Sequence, residues 1–403
     1  MVEAAAHRVQ PQPLSLWLQP RTTCEVDPAM RLCSNFHMPA DLCQFGNILE
    51  IWGDPDAVQA SLADLTYEER LCCAHGWPLR STGFCYTHQR QCAYNAGCHV
   101  RVQGPPCPDY SAAGLRRGAS GPTFPTMLAA GAKSRLTRSA LVVLENVCGL
   151  PEEVVADAFG PDYTLSSFAQ SPSDVGFDCV ARPRKFFAIT DVAATETLYD
   201  LRTLLEEVQS KLKREPPLSL RTLLCASPDE VREDVYHLSW CRSHLKRVPL
   251  PDRANLQPVA LLNGQEATRL TDYVMAWRDG AGHKCQWEDL VCHLGDAPAT
   301  GWCTWSSASG KLPTIRRSSG IYWHVSANRQ ILLKELYGSM GFCTFAGCAA
   351  AAGVAPFRVF HPGLSHRQLA QALGNSQHVA NIGVFTVCAL ACAGLKDDRS
   401  NRE

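Results

Sequence analysis

Gly104-Pro105-Pro106-Cys107-Pro108-Asp109-Tyr110-Ser111-Ala112-Ala113-Gly114 follows directly on the short β-rich run His99-Val100-Arg101-Val102. A cysteine just past the carboxyl end of a strand, held between prolines and followed by a Ser/Gly loop, stands where an open α/β sheet keeps its reactive groups. Taken alone, the stretch also suits a rigid turn with a bystander thiol. Two more β-rich runs, 140–144 and 186–190, are separated by lengths that hold helices, so the first 190 residues read as an α/β sheet.

Outward from this centre, Leu144-Glu145-Asn146-Val147 puts a carboxylate where an apolar strand ends, although a Glu at such a tip can equally cap a helix. Ala181-Arg182-Pro183-Arg184-Lys185-Phe186 sets two guanidiniums on one side of an extended stretch, or is a solvated basic strand. Leu198, Leu201, Leu205, Val208 and Leu212 recur at helical spacing between Thr195 and Glu215, and Pro216-Pro217 ends that helix. From about 218 to 325 neither period is sustained, and the segment reads as a separate loop-rich lobe. Helical signals return around Leu332 to Met340 and Leu369 to Leu395, ahead of a polar tail, Lys396 to Glu403, that reads as frayed.

Composition narrows the class. The 403 residues carry 38 Lys+Arg against 39 Asp+Glu, a net charge of -1, with 46% hydrophobic residues, as in an ordinary globular chain. Contact with nucleic acid must then come from a local basic patch. Twenty cysteines without an apolar leader over Met1 to Leu14 point to reduced thiols and a soluble, intracellular protein. The longest apolar run, Val379 to Leu395, is short for a bilayer and broken by Asn381 and two glycines, so it reads as a buried helix and no membrane is expected.

In this order and at these separations, Pro-Pro-Cys107, Glu145-Asn146-Val147 and Arg182-x-Arg184 resemble motifs of the carbon-5 cytosine-specific DNA methyltransferases. Cys24-Glu25-Val26-Asp27 and Phe45-Gly46-Asn47-Ile48 resemble two cofactor motifs of that family. Arg329-x-Ile331-Leu332-x-Lys334-Glu335 with Met340-Gly341-Phe342, and Leu373-Gly374-Asn375-Ser376, resemble its closing elements.

The resemblance implies a Rossmann-like S-adenosylmethionine-dependent methyltransferase sheet with a smaller, irregular target-recognition lobe. It divides the chain into a catalytic domain (1–190, with a Cys/His-rich insertion at about 52–98), a recognition lobe (191–327) and carboxyl-terminal motifs (328–403) whose last helix packs back on the catalytic domain. It implies a DNA (cytosine-5-)-methyltransferase that acts on a cytosine flipped out of duplex DNA, in the nucleus, or in the cytoplasm of a prokaryote. The catalytic residues implied are Cys107 as nucleophile, Glu145 at ring nitrogen 3, Arg182 at the pyrimidine oxygen or orienting Glu145, and Arg184 as its neighbour. For the cofactor it implies Glu25 on the ribose, Asn47 and Ile48 near the adenine, and Asn375 near the methionine end. The loop Ser111 to Ser120, with Arg116 and Arg117, has the composition to close over the site. Arg316-Arg317, near the end of the lobe at Pro313 to Gly320, suits phosphate contacts or a charged surface turn.

Several positions depart from the family pattern. Asn47 stands for an Asp, Val180 and Met340 each stand for a Gln, and nothing in Met1 to Thr23 matches the glycine-rich first strand and loop. These departures imply either a truncated form of an active enzyme or a degenerate relative, and so keep open a catalytically impaired DNA-binding or regulatory module; a related branch with the same Cys/Glu chemistry keeps open a tRNA cytosine-5 methyltransferase. The insertion carries Cys72, Cys73, Cys85, His88 and Cys92. Cys85-x2-His88-x3-Cys92 with Cys72 or Cys73 is a candidate structural zinc set, though the spacing fits no standard finger and a thiol-rich packed insertion is the other reading. Cys285, Cys292, His293 and Cys303 form a lesser candidate.

Overall fold

The structure, a computed structural model, describes residues 19–94, 98–112, 114–245, 247–249, 252, 256–280, 284–300, 303–317 and 320–396. The expected tail 397–403, most of the amino-terminal stretch, Ala113 of the loop and Ser318-Ser319 lie outside the described residues.

The body is built on β5 (Val100–Gln103), β6 (Leu141–Asn146), β7 (Tyr163–Gln170) and β8 (Arg184–Asp191), in the order β5-β6-β8-β7. β5 and β6 run parallel, while β8 is antiparallel to both its neighbours. β6 is buried along its whole length, and its alternating residues serve two cores. Val142 and Leu144 face α4 (Phe124–Thr137) and α5 (Glu152–Phe159) through Phe124, Leu128, Val155 and Phe159. Leu141 and Val143 face α6 (Leu201–Leu212) and α12 (Val379–Cys392) through Leu205, Phe385 and Ala389. The result is a three-layer α/β/α sandwich. A Cβ at Gly131 would lie 2.1 Å from the Ala158 carbonyl, so α4 and α5 approach closely only because that residue is glycine.

A second sheet, β1-β2-β3-β4, comprises β1 (Thr22–Cys24), β2 (Cys43–Phe45), β3 (Thr82–Cys85) and β4 (Arg90–Ala93). β1 and β2 are parallel, and β3 and β4 form a hairpin that joins β2 at a single register pair, Phe45 with Cys85. This sheet packs on α4 through Phe45, Leu49, Tyr94 and Ala129. The expected single α/β sheet is therefore in two pieces: β1 and β5 each carry an edge with no strand partner among the described residues. Cys24 of β1 nevertheless lies near Lys133 of α4 and Arg101 of β5: burial raises its thiol pKa, and these two cations pull against that rise.

The lobe corrects the sequence reading most. Residues 218–325, read as loop-rich, contain two long helices, α7 (Pro228–His244) and α8 (Gly264–Arg278), and the start of a small antiparallel sheet. That sheet is β10 (Val291–His293), β11 (Tyr322–His324) and β12 (Arg329–Gln330). The helices escaped the periodicity because they bury little: Val235 and Ser239 in α7, Tyr273 in α8. The boundaries shift as well. α6 packs on the body sheet, not with the lobe. The 328–375 region, with α9 (Leu333–Ser339) and α11 (His366–Asn375), shares one core with Leu220, Val291, Leu312 and Ile315 of the lobe. Lobe and body meet where α6 ends and α12 begins. There the buried Gln170 accepts from Gln209 Nε2 (3.3 Å) and donates to the Asn381 carbonyl (3.3 Å).

Arg329 and Glu335 form a buried, two-pronged ion pair, 2.8 and 2.7 Å, and Glu335 also accepts from the N–H groups of Leu332 and Ala226. This family-like element is thus a structural clamp of the lobe. Removing one partner strands the other in the core, so Glu335→Ala is expected to cost about 3–5 kcal/mol in a chemical melt.

Burial holds four histidines, His293, His324, His366 and His378, neutral with pKa values of about 4, seconded by Arg316 at His293 and Arg329 at His324. An unfolded histidine titrates near 6.5, so between these values the unfolded chain binds more protons. The melting temperature should therefore hold above pH 6.5 and fall steadily as the pH drops toward 4. A flat profile across that window would contradict the buried neutral histidines.

Candidate active site

The strand ends position the site. β5 stops at Gln103, and the loop after it is strapped at both ends. Gln377 Nε2 donates to the Gln103 carbonyl (3.1 Å), and Asn146 Nδ2 donates to the Pro105 carbonyl (3.1 Å). Cys107 closes a turn, its carbonyl accepting from the N–H groups of Tyr110 (3.0 Å) and Ser111 (2.9 Å). The loop that follows is anchored as well. Asp109, 2% exposed, accepts from Thr123 N (2.9 Å) and Thr123 Oγ1 (2.6 Å), and its carbonyl accepts from Gly118 N (3.0 Å). A Cβ on Gly121 would fall 2.0 Å from the Asp109 carboxyl carbon, so that contact requires glycine.

Glu145, 9% exposed at the tip of β6, pairs with Arg184 Nε at 3.0 Å. Its other oxygen lies 3.7 Å from where a Cβ on Gly104 would sit, directly behind the cysteine loop. The two arginines divide differently from the sequence reading. Arg184 orients Glu145, whereas Arg182 turns to backbone carbonyls: Ile315 (3.1 Å), Ser376 (2.7 Å) and Gly374 (3.4 Å). The cause is local: Arg182 precedes β8, where the chain is stitched to the lobe by Ala181 N to the Leu312 carbonyl (2.9 Å). Burial, with Arg184 beside it, pulls the Arg182 guanidinium down to about 10. Burial pushes the Cys107 thiol above its usual range, Arg184 and Arg182 pull it down, and Glu145 opposes them. All four groups share one electrostatic environment.

The cofactor candidates sit at the ends of the other parallel pair. Glu25 follows β1, with its N–H on the Phe45 carbonyl (3.0 Å) and its carboxylate accepting from Asp27 N (2.9 Å). Asn47 and Ile48 follow β2, where Asn47 caps a 3-10 turn through Leu49 N (3.0 Å). Asn375 is exposed at the end of α11. Val180 and Met340, which stand where the resemblance implies glutamines, are buried together in one apolar cluster. Arg316 does not offer itself to phosphate: it donates to Asp296 and to His293 Nδ1 (2.9 Å). Arg317 is exposed, 3.9 Å from Asp27.

Of the metal candidates, Cys85, His88 and Cys92 do converge, and the fourth member is Cys43 of β2; Cys72 is exposed on α3 (Tyr67–Gly76) and outside the group. Cys285, Cys292 and Cys303 pack in the lobe core with Trp305 and Trp323, and His293 is held by Arg316. Asp109 and Gln377 act here without a role expected from the sequence, and Asn146, part of the Glu145-Asn146-Val147 motif, takes a strapping role that the motif did not specify. The glycines around Asp109 and the amide after Glu145 were the available signals.

No protein-family model matches the chain, and no curated protein does. Solved structures similar in architecture include three methyltransferases. A methyltransferase of Entamoeba histolytica shares 11% identity, covering 93% of this chain and 99% of that one at a TM-score of 0.40. The S. pombe Dnmt2 methyltransferase shares 12%, covering 93% and 98% at 0.39. A candidate DNA modification methyltransferase encoded within an E. coli prophage shares 14%, covering 92% and 91% at 0.46. The chain is similar to methyltransferases. That likeness is one of overall architecture, and the chemistry rests on the residues themselves.

Because Arg184 lowers the Cys107 pKa and Glu145 raises it, Arg184→Gln removes the cation and frees the opposing carboxylate. Alkylation of Cys107 by iodoacetamide should accelerate with a midpoint above that of an ordinary thiol, and the midpoint should move further up in the variant. A downward shift would show that the arginine does not act on the thiol.

Proposed function

We propose that this chain is a cytosine-5 methyltransferase acting on DNA, with Cys107 as its nucleophile. The observation that carries the reading is the 3.0 Å pairing of Glu145 from one motif with Arg184 from the next, both acting on the Cys107 thiol of a third. Carbon-5 of cytosine is a weak nucleophile. Addition of the Cys107 thiolate at carbon-6, with Glu145 hydrogen-bonding or protonating ring nitrogen 3, moves electron density to carbon-5. Arg184 holds Glu145 in place for that contact, and Arg182 is a positioning residue that fixes the strand against the lobe. Once carbon-5 has taken the methyl group, transfer of its proton to a base and departure of the Cys107 thiolate from carbon-6 restore the aromatic ring. Carbon-6 is stacked in a duplex, so the base must leave the helix, at a cost of a few kcal/mol.

The donor set at the ends of β1 and β2 fits S-adenosylmethionine. The Glu25 carboxylate, oriented by Asp27 N, suits the ribose diol, and the Asn47 amide and half-buried Ile48 suit the adenine. When bound, that group supplies an electrophilic methyl on sulfur. The lobe, with its own core of buried aromatic and aliphatic residues, supports a large target such as duplex DNA rather than a small substrate. Exposed Arg116 and Arg117 beside the cysteine loop suit its phosphates.

A second reading is favoured by the edges that β1 and β5 leave without a strand partner among the described residues: a module that binds nucleic acid without transferring a methyl group. Transfer of labelled methyl groups separates the two. Incorporation into duplex DNA should be abolished by Cys107→Ser and fall about a hundredfold or more in Glu145→Gln. Equal incorporation by wild type and Cys107→Ser would refute the nucleophile. DNA binding with no incorporation would favour the module, and preferential labelling of tRNA would move the substrate to RNA.

A further inference from the structure

The hairpin carries a chemical feature that plays no part in methyl transfer. Cys43 lies on β2, Cys85 ends β3, His88 lies in the turn and Cys92 lies on β4, and their ligand atoms are all within 4.8 Å of one another. The three sulfurs stand around one nitrogen: His88 Nδ1 is 3.4 Å from Cys43 Sγ, 3.4 Å from Cys85 Sγ and 3.6 Å from Cys92 Sγ. Hydrogen bonding does not explain this. An imidazole Nδ1 has either one proton or one lone pair and satisfies one sulfur, not three. A tetrahedral ion does explain it, because zinc bonded at about 2.3 Å to sulfur and about 2.0 Å to nitrogen places S and N about 3.5 Å apart.

From this geometry we propose that Cys43, Cys85, His88 and Cys92 hold one structural zinc ion, bound by three thiolates and His88 Nδ1. The backbone supports the arrangement. Gln89 follows His88 at φ +52°, which turns the chain back sharply enough for Cys85, His88 and Cys92 to face one point. The His88 N–H also donates to Cys85 Sγ (3.5 Å), a contact that stabilises thiolate charge. The ion has a mechanical task. β3 meets β2 at one register pair, extended by Tyr86 N to the Gln44 carbonyl (2.8 Å), and beyond that short ladder the hairpin is held to the parallel strands by packing, with the Tyr94 ring 4.8 Å from that of Phe45. Metal bonds from Cys43 to Cys85, His88 and Cys92 fasten it there. The fastening reaches the strand tip, because a Cβ at Gly46 would lie 3.0 Å from the Tyr86 ring.

The test uses the full chain purified without chelator. Native mass spectrometry and elemental analysis should find one zinc per chain, lost in Cys43→Ser and in Cys92→Ser but kept in Cys72→Ser and Cys73→Ser. Since removing a ligand can also unfold the hairpin, the unsubstituted chain is examined separately with cobalt(II). Intense visible d–d bands of a tetrahedral thiolate site, with sulfur-to-metal charge transfer, are expected and are erased by added zinc. A chain that takes up neither metal, an octahedral cobalt spectrum, zinc that survives Cys92→Ser, or a disulfide among these cysteines would each overturn the proposal.

Discussion

Arg182 donates to carbonyls of Ile315, Gly374 and Ser376, three points that belong to the lobe, the end of α11 and the approach to α12. A guanidinium offers five donors in a fixed fork and stays charged even where burial opposes it. It can therefore gather carbonyls that have no other partner. Everything at the site is referred to this junction. Ser376 is followed by Gln377, which straps the cysteine loop, and Arg182 is followed two residues on by Arg184, which orients Glu145. Gly374 is part of the same constraint: a Cβ there would fall 2.5 Å from the Arg316 backbone, so the helix end and the lobe touch only without a side chain.

β6 and β8 of the body were legible because they are apolar runs, whereas β7, rich in Thr and Ser and buried only at its ends, offered no such run. Val142 and Leu144 look one way and Leu141 and Val143 the other, and a stretch that must satisfy two cores can hardly be anything but a central strand. The lobe was not legible by the same rule. α7 and α8 bury so little that no stripe marks them, yet their beginnings are written in local chemistry. Ser227 with Glu230 and Asn263 with Glu266 form reciprocal capping boxes that a reading of helix starts would have found.

At the site, residue types were readable and partnerships were not. The period of two placed Arg182 and Arg184 together, but which arginine meets Glu145 depends on where β8 begins. Cys43 was invisible to any spacing rule, because only the pairing of Phe45 with Cys85 brings it beside a turn far along the chain. Val180 and Met340 looked like independent departures from a pattern. Packed in the same cluster, they serve one apolar core.

Gln170 touches both Gln209, near the end of α6, and Asn381, near the start of α12. The lobe therefore leaves and re-enters the body at adjacent points, in the manner of a domain inserted into a surface loop. Such an attachment separates two kinds of evolutionary change. Surfaces of the lobe can be exchanged or lengthened while Cys107, Glu145 and the parallel strands keep their frame. The tolerance ends at residues 179–182 and 374–377, where body and lobe are sewn together and where a graft would have to be cut.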